Sequence, residues 1–302
     1  MTLKGLKYYL RNPKRWYAFL ASRGLLNWMS DEAYLKYAFR ANVGRELNLK
    51  HPTTYNEKLQ WLKIHNRKLE YTSMVDKYEA KAYIEKKIGS GYTIPTLGVW
   101  DRFSQINFDS LPEQFVLKCT HDSGGLVICK DKSKLNLSKV RKKINKCLKK
   151  NYYWANREWP YKDVKPRIIA EKYMEDTADD ALTDYKFFCF GGEPKIMYIS
   201  RDHGKEPRTD FFDMDFNHLP ILARDPNAEI TPGKPAQFEQ MRKLAAVLSA
   251  GVPHLRVDFY IINGAIYVGE LTFFHMSGLT LVKPEEWNIK MGEWIQLPID
   301  QE

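Results

Sequence analysis

The sequence has no apolar run approaching the roughly 18 residues that a membrane-crossing helix needs, so no transmembrane span is expected. Its start, MTLKGLKYYLRNPKRWYAFL, interrupts the apolar pattern with Lys, Arg and Pro13, which argues against a signal peptide as well. Cysteine is scarce: Cys119, Cys129, Cys147 and Cys189 are widely spaced, with no Cys-x-x-Cys pair and no clustered histidines beside them. Neither a disulfide framework nor a zinc site is expected, and reduced thiols in the cytoplasm are. There is no internal repeat and no low-complexity tract. Asp213-Met214-Asp215 has the superficial form of a sugar-nucleotide transferase motif, but no Rossmann-like half accompanies it.

What is present is a chain of 302 residues, 44% apolar, long enough for one large domain or two modest lobes with ample core. Its 47 basic and 37 acidic residues leave a net charge of +10, which favours anionic partners such as nucleotides, anionic saccharides, nucleic acid or a membrane surface. The basic, aromatic N-terminal segment offers a peripheral contact with an anionic membrane, with docking on the protein itself as the alternative. Nucleic acid is disfavoured. The most basic stretch, Ser138 to Lys150, carries Val140, Ile144 and Leu148 at helical spacing, so it reads as a packed helix with a solvated face.

Helical periodicity covers residues 1 to about 70, with Thr54 or Asn56 placed to cap the second run. A further helix is expected to open at Ser73, with Asp76 completing a capping box, and to carry Lys77 and Lys81 as far as Gly89 or Gly91. Two short strands then flank a loop from Thr120 to Gly125. Its small residues can turn backbone N–H groups toward a phosphate, and Lys118 precedes it inside an apolar strand. Strands follow at 167–173, at 184–189 with Lys186 inside, at 194–200 and at 209–214, and an amphipathic helix at 238–248.

The segment Leu255 to Gly278 gathers the most chemistry. It reads as a hairpin around Asn263-Gly264, with Arg256, Asp258, Glu270 and Thr272 as its polar residues. A two-residue turn would send Glu270 to the face opposite Asp258. A three-residue loop, with Gly264 forming a bulge and residue 261 paired with 265, places all four on one face and Val257, Phe259, Leu271 and Phe273 on the other. The second register segregates polar from apolar side chains and is the expected one. Two carboxylates on one face suggest Mg²⁺ beside phosphate oxygens; the alternative is an edge hairpin facing water.

In this order the pieces resemble the ATP-grasp superfamily: Met74-Val75-Asp76-Lys77, Lys118 with its glycine loop, Glu171-Lys172-Tyr173-Met174, and the hairpin Arg256-Val257-Asp258 to Gly269-Glu270-Leu271-Thr272. YNEKLQWLK (55–63), REWPY (157–161), DYKFFCFGG (184–192) and GELTF (269–273) make the chain similar to the TupA-like branch, which acts in teichuronopeptide, capsule and other surface-polysaccharide biosynthesis. The resemblance implies an α+β fold of two lobes clasping ATP, divided as an N-terminal helical region at 1–70, a small lobe at 71–172 and a large lobe at 173–302. It implies that Lys77 and Lys118 hold phosphates, that His121, Ser123, Gly124 and Gly125 close over them, and that Glu171, Lys172, Tyr173 and Met174 receive adenine. Asp179 or Asp180 would reach the ribose and Lys186 the γ-phosphate. Asp258, Glu270 and Thr272 would bind Mg²⁺, with Arg256 steadying an acyl phosphate. Thr272 stands where the superfamily generally has Asn, and His275 where the branch is expected to have proline.

The implied activity is an ADP-forming carboxylate–amine ligase, amidating a uronic acid of an anionic saccharide or nucleotide sugar with an amino acid or amino sugar, in the cytoplasm or at the inner face of a bacterial membrane. A saccharide kinase and a glycosyltransferase are the alternatives. Arg157, Glu158, Trp159 and Tyr161, together with Arg201, His203 and Arg208, are candidates for the acceptor site.

Overall fold

Antiparallel pairing builds two sheets in the computed structural model, which describes residues 16–122, 124–176, 182–201 and 207–298. Ser123, Asp179, Asp180 and His203 lie outside the described residues. The smaller sheet contains β1 (Thr96–Trp100), β2 (Phe115–Cys119), β3 (Leu126–Cys129) and β4 (Ile168–Lys172), ordered β1-β4-β2-β3. The larger contains β5 (Asp184–Phe190), β6 (Glu193–Arg201), β7 (Arg208–Asp213), β8 (His218–Leu219), β9 (His254–Ile262) and β10 (Ala265–Thr272), ordered β10-β9-β5-β6-β7-β8. Helices pack on both, which makes the class α+β, as expected.

In β2 strict alternation turns Phe115, Leu117 and Cys119 inward, where they meet Val140, Ile144 and Cys147 of helix α6 (Leu137–Leu148). The opposite face of β2 carries Lys118, beside Glu171 of β4. In the large sheet Phe187, Val257 and Phe259 face helix α7 (Phe238–Ser249), whose Phe238, Met241, Ala245 and Leu248 are all fully buried.

The N-terminal helices are α1 (Trp16–Ser22), α2 (Asp31–Val43) and α3 (Tyr55–His65). Thr54 caps α3 through a capping box with Glu57, one of the two residues expected to do so. Helix α3 buries Tyr55, Leu59 and Leu62 in the large-sheet core, and so do α4 (Glu70–Val75) and α5 (Glu79–Ile88) through Tyr71, Met74, Val75 and Ile84. The cores therefore do not part at residue 70.

The start expected at Ser73 is overturned. Ser73 lies inside α4, and its hydroxyl donates to the Glu70 carbonyl at 2.8 Å. The chain breaks at Asp76, whose Oδ1 accepts from the N–H groups of Tyr78 and Glu79 at 2.8 and 3.2 Å. A carboxylate outcompetes the hydroxyl because it caps two amides at once while Arg167 holds its other oxygen at 2.9 Å.

The hairpin register also differs from expectation. Ala265 pairs with Ile262, so Asn263 and Gly264 form a two-residue turn with positive φ at both positions, 49° and 80°. The expected three-residue loop is not formed. An irregularity at Gly269 restores the parity: Val268 pairs with Phe259, yet Glu270 pairs with Asp258 and Thr272 with Arg256. The four polar residues share one face, but a bulge inside β10 achieves this, not the turn. The Tyr260 ring dictates the residue at the bulge, because a Cβ on Gly269 would stand 2.6 Å from it.

Gly269→Val should therefore lower the unfolding free energy by about 1–3 kcal/mol. In a Tyr260→Ala background the same substitution should cost much less. A double-mutant cycle of urea midpoints measures the difference, and full additivity would show that the ring is not what selects glycine.

Candidate active site

Strand register assembles the polar face in rows. Glu270, Asp258, Lys186, Tyr198 and Phe211 are successive cross-strand partners over β10, β9, β5, β6 and β7. One step along, Tyr260, Asp184, Ser200 and Thr209 form a second row. Such neighbours stand on one side of a sheet with their side chains in reach, so the strands alone bring these groups together.

Asp258, 2% exposed, is the hub. Arg256 grips it with Nε donating to Oδ1 and Nη2 to Oδ2, both at 2.7 Å, and Lys186 Nζ donates to Oδ2 at 2.8 Å. Lys186 also lies 2.9 Å from Asp184, whose side chain bonds to the Tyr260 hydroxyl. Burial works against the Lys186 charge, but Asp258 and Asp184 prevail and keep it protonated well above the ordinary lysine range. Arg256 Nη2 also donates to the Thr272 hydroxyl at 3.0 Å.

His275 bonds to Arg256 at 2.7 Å through Nδ1. A guanidinium can only donate, so Nδ1 accepts and the imidazole proton sits on Nε2. Burial, then the Arg256 charge, pushes the His275 pKa well below 6.5 and keeps the ring neutral. His254 is the structural counterpart: its Nδ1 donates to the Phe273 carbonyl at 2.8 Å, so its Nε2 accepts from Tyr55 at 3.1 Å, and burial lowers its pKa to about 4.

Two cavities flank this hub. One lies between the sheets and is lined by Lys77, Lys81, Lys118, Glu171, Tyr260 and Glu270, with a volume of about 70 Å³. Here Glu171 is clasped by Lys118 at 2.6 Å and Lys81 at 2.5 Å. Burial raises its pKa, but the two ammonium groups outweigh burial and hold it below the usual carboxylate range. Lys77 anchors its Nζ on the Asp122 carbonyl at 3.0 Å. The second cavity, about 320 Å³, opens over the large sheet, and Glu158, Tyr161, Lys186, Arg224, Arg256 and Glu270 are among its walls. Glu270 lines both.

Of the residues read from the sequence, Lys77, Lys118, Glu171 and Glu270 meet in the first cavity, and Lys186, Arg256, Glu270 and Thr272 in the second. Asp258 is buried at the hub and lines neither cavity, and the others stand apart. Lys172 and Tyr173 face a separate shallow groove, Tyr173 beneath Lys130 at 5.3 Å. Met174 lines neither cavity. His121 is buried and donates through Nε2 to the Cys147 carbonyl at 3.2 Å. Gly125 packs so close to Cys119 that a Cβ would sit 2.7 Å from its sulfur, and Gly124 is exposed. Among the acceptor candidates Glu158 and Tyr161 line the second cavity. Arg157 is 1% exposed, donates to the Leu26 carbonyl at 2.8 Å and stacks its guanidinium 4.5 Å from the Tyr34 ring centre. Arg201 and Arg208 bond to the carbonyls of Ile230 and Asn227.

Lys81 lies in α5 while Lys77 precedes it in the turn at 76–78, so their meeting in the first cavity comes from the chain break at Asp76 and not from helical spacing. Tyr198, directly opposite Lys186, follows from strand parity. Arg224 and Asp225, paired at 3.0 Å at the cavity rim, lie in a stretch without periodicity and left no signal.

Glu270 has no hydrogen-bond or ion-pair partner among the described residues and faces Asp258 directly. Among those residues no three His, Cys, Asp or Glu side chains converge on a metal position. Glu270, an unengaged carboxylate on both cavities, fits Mg²⁺, which takes few protein ligands. Asp258 faces it across the strands but spends both oxygens on Arg256 and Lys186 and lines neither cavity, so it fits less well. Thr272 fits less well, because its hydroxyl already accepts from Arg256.

The model described as TupA-like ATPgrasp matches residues 57–296. Among solved structures, the D-alanine–D-alanine ligase from Bacillus anthracis is 18% identical with a TM-score of 0.46, over 80% of this chain and 69% of that one. The enzyme of that name from Helicobacter pylori is 13% identical, with a TM-score of 0.42 and the same coverage. The ATP-grasp ligase PsnB, complexed with minimal precursor, is 8% identical with a TM-score of 0.38, over 68% and 53%. No curated protein sequence matches.

The buried histidines make stability acid-sensitive. Their folded pKa values lie below 6.5, at about 4 for His254, so the unfolded chain binds the proton first. Their contribution is complete above pH 6.5 and should be lost as pH falls toward about 4. Urea midpoints across that interval should decline, and His254→Gln or His275→Gln should each reduce the slope.

Proposed function

We infer, from the premise that the chain belongs to the TupA-like ATP-grasp family, that it is an ATP- and Mg²⁺-dependent ligase forming an amide from a carboxylate and an amine, with release of ADP and phosphate. The observation that carries this reading is Glu270, an unpartnered carboxylate lining two cavities that meet nowhere else along the polar face. The lysines of the first cavity suit the phosphates of a nucleoside triphosphate, and the second cavity suits another substrate, with the reacting atoms meeting at the junction.

Lys77 and Lys118 hold the phosphates in the first cavity, Lys118 while still tethered by Glu171. Lys186 reaches toward the terminal phosphate from the large sheet. Mg²⁺ held by Glu270 would neutralise phosphate charge, and Asp258 would join it as a ligand once Arg256 or Lys186 releases one of its oxygens. A substrate carboxylate oriented by Arg256 attacks the terminal phosphorus: the new C–O–P linkage forms, and the bond to the bridging oxygen breaks with its electron pair leaving on ADP. Attack by an amine on the acyl carbon then forms C–N and expels phosphate. Positioning and charge carry both steps, so no nucleophilic Ser or Cys is needed.

The second cavity's Tyr152, Tyr161 and Tyr198 rings, with the Ser200 and Thr209 hydroxyls, suit a saccharide. Three cations among its walls, Lys186, Arg224 and Arg256, suit an anionic one such as a uronic acid or nucleotide sugar. We place the reaction in bacterial surface-polysaccharide biosynthesis, at or near the cytoplasmic face of the membrane. No helix among the described residues is long and apolar enough to cross one.

Incubation with ATP, MgCl₂ and a panel of uronic acids, nucleotide sugars and amines should release ADP and phosphate in equal amounts, dependent on both co-substrates. A phosphorylated sugar without free phosphate would instead identify a kinase. Glu270→Gln should abolish turnover with an unchanged urea midpoint, because Glu270 supports no partner. Asp258→Asn should also abolish it, but at a cost of about 3–5 kcal/mol in stability, since Arg256 and Lys186 lose their counter-charge. Near-normal turnover in Glu270→Gln sinks the reading.

A further inference from the structure

The carboxylates lining the second cavity are Glu158, Asp184, Asp225 and Glu270. Asp184 is ion-paired with Lys186 and Asp225 with Arg224. Glu270 is assigned to Mg²⁺ above. Glu158 remains. It is 5% exposed, and its Oε1 accepts a short hydrogen bond from the Ser277 hydroxyl. Its Oε2 has no hydrogen-bond donor among the described residues.

A buried carboxylate normally acquires a cation of its own. The neighbouring cation here is Lys63, fully buried behind the cavity wall, but its three N–H donors are spent on neutral oxygens: Gln60 Oε1 at 3.0 Å, the Asn156 carbonyl at 3.0 Å and the Ser277 carbonyl at 2.8 Å. No lysine or arginine nitrogen of the described residues comes within ion-pair distance of Glu158. Burial, countered in part by Lys63, raises the Glu158 pKa, while burial lowers that of Lys63 to about 8.

The arrangement is built under strain. Arg157, immediately before Glu158, has a φ of 56°, and Met276 and Ser277 have φ values of 48° and 55°. None of the three is glycine, and such conformations persist where packing on both sides imposes them. Here they point the carboxylate and the hydroxyl at each other across the cavity wall.

We propose that Glu158, oriented by Ser277, is the binding site for the ammonium group of the amine co-substrate and accepts its proton. The proposal rests on the ligase reading and deepens it by naming the positively charged partner. One proton passes from R–NH₃⁺ to the Glu158 carboxylate, leaving a neutral amine with its lone pair free. That nitrogen attacks the acyl phosphate carbon; C–N forms, C–O breaks, and the electron pair leaves with the phosphate, which takes up the second nitrogen proton. Arg256, Glu270, Lys63 and Tyr161 are the titratable groups facing Glu158, and of these Lys63 supports its ionised form most closely.

The test uses the full chain with MgADP and two ammonium probes that lack a carboxylate, glucosamine and alaninamide, each compared with its N-acetyl derivative. Calorimetry should show at least one probe binding wild type, its N-acetyl form not binding, and Glu158→Gln weakening the probe roughly tenfold or more, as expected for a hydrogen bond to a charged group. Probe affinity should fall on acidification as Glu158 takes a proton, and that dependence should vanish in Glu158→Gln. MgADP affinity should be the same in both proteins, which verifies that the variant folds. Equal probe binding by both proteins, or no binding to wild type in the presence of MgADP, overturns the proposal. Failure of wild type to bind MgADP would instead strike the ligase reading itself.

Discussion

Everything at the centre of this molecule is arranged around one buried carboxylate, Asp258, and the two cations that grip it. Strand β9 supplies Arg256 on the same face two residues away, and strand β5 supplies Lys186 directly across. Three charges in a protein interior are tolerable only when each is hydrogen-bonded by another. That requirement fixes the lateral order of the strands: exchanging β5 for another neighbour would leave Asp258 with one cation and Lys186 with Asp184 alone. The fold and the chemistry are therefore not separate achievements here, because the ion triad that holds the middle of the sheet is also what lines its polar face.

The small sheet repeats the logic with the same signs. There a single carboxylate, Glu171, sits between Lys81 and Lys118, which come from a helix and a strand far apart in sequence. Because α5 packs into the large-sheet core while β2 belongs to the other sheet, this contact ties the two bodies on either side of the first cavity. A phosphate entering beside it would compete with Glu171 for the same ammonium groups, so anion binding and the attachment between the sheets are energetically linked.

Much of this was legible beforehand, and for identifiable reasons. Alternation placed β2, β5, β6 and β9, and the isolated lysines at 118 and 186 stood out because an ammonium inside an apolar strand requires an anion. The shared face of Arg256, Asp258, Glu270 and Thr272 followed from segregating polar and apolar residues, which is robust even when the turn is misassigned. What escaped was set by long-range contact. Arg157 resembles a ligand-binding arginine in sequence, yet it is enclosed by Tyr34 and Trp154 and ion-paired with Asp31, partners that no local pattern announces. The cap of α5 moved from Ser73 to Asp76 for the same reason, since Arg167, 91 positions away, secures the carboxylate.

The irregularity at Gly269 has a further implication for how such a hairpin can vary. It acts as a frame correction: the two-residue turn and the single extra residue together keep an odd offset between the turn and the acidic pair. While the tip stays a two-residue turn, the acidic pair keeps its face only because of the extra residue at Gly269; without it, a three-residue loop would be needed to keep the same face. The tip, which lies against the 175–176 segment through Asn263, can be remodelled by insertion or deletion while the carboxylates stay in frame. A neighbour's hairpin of different length, aligned by its turn, would appear to have lost its acidic pair; aligned from the bulge, it would not.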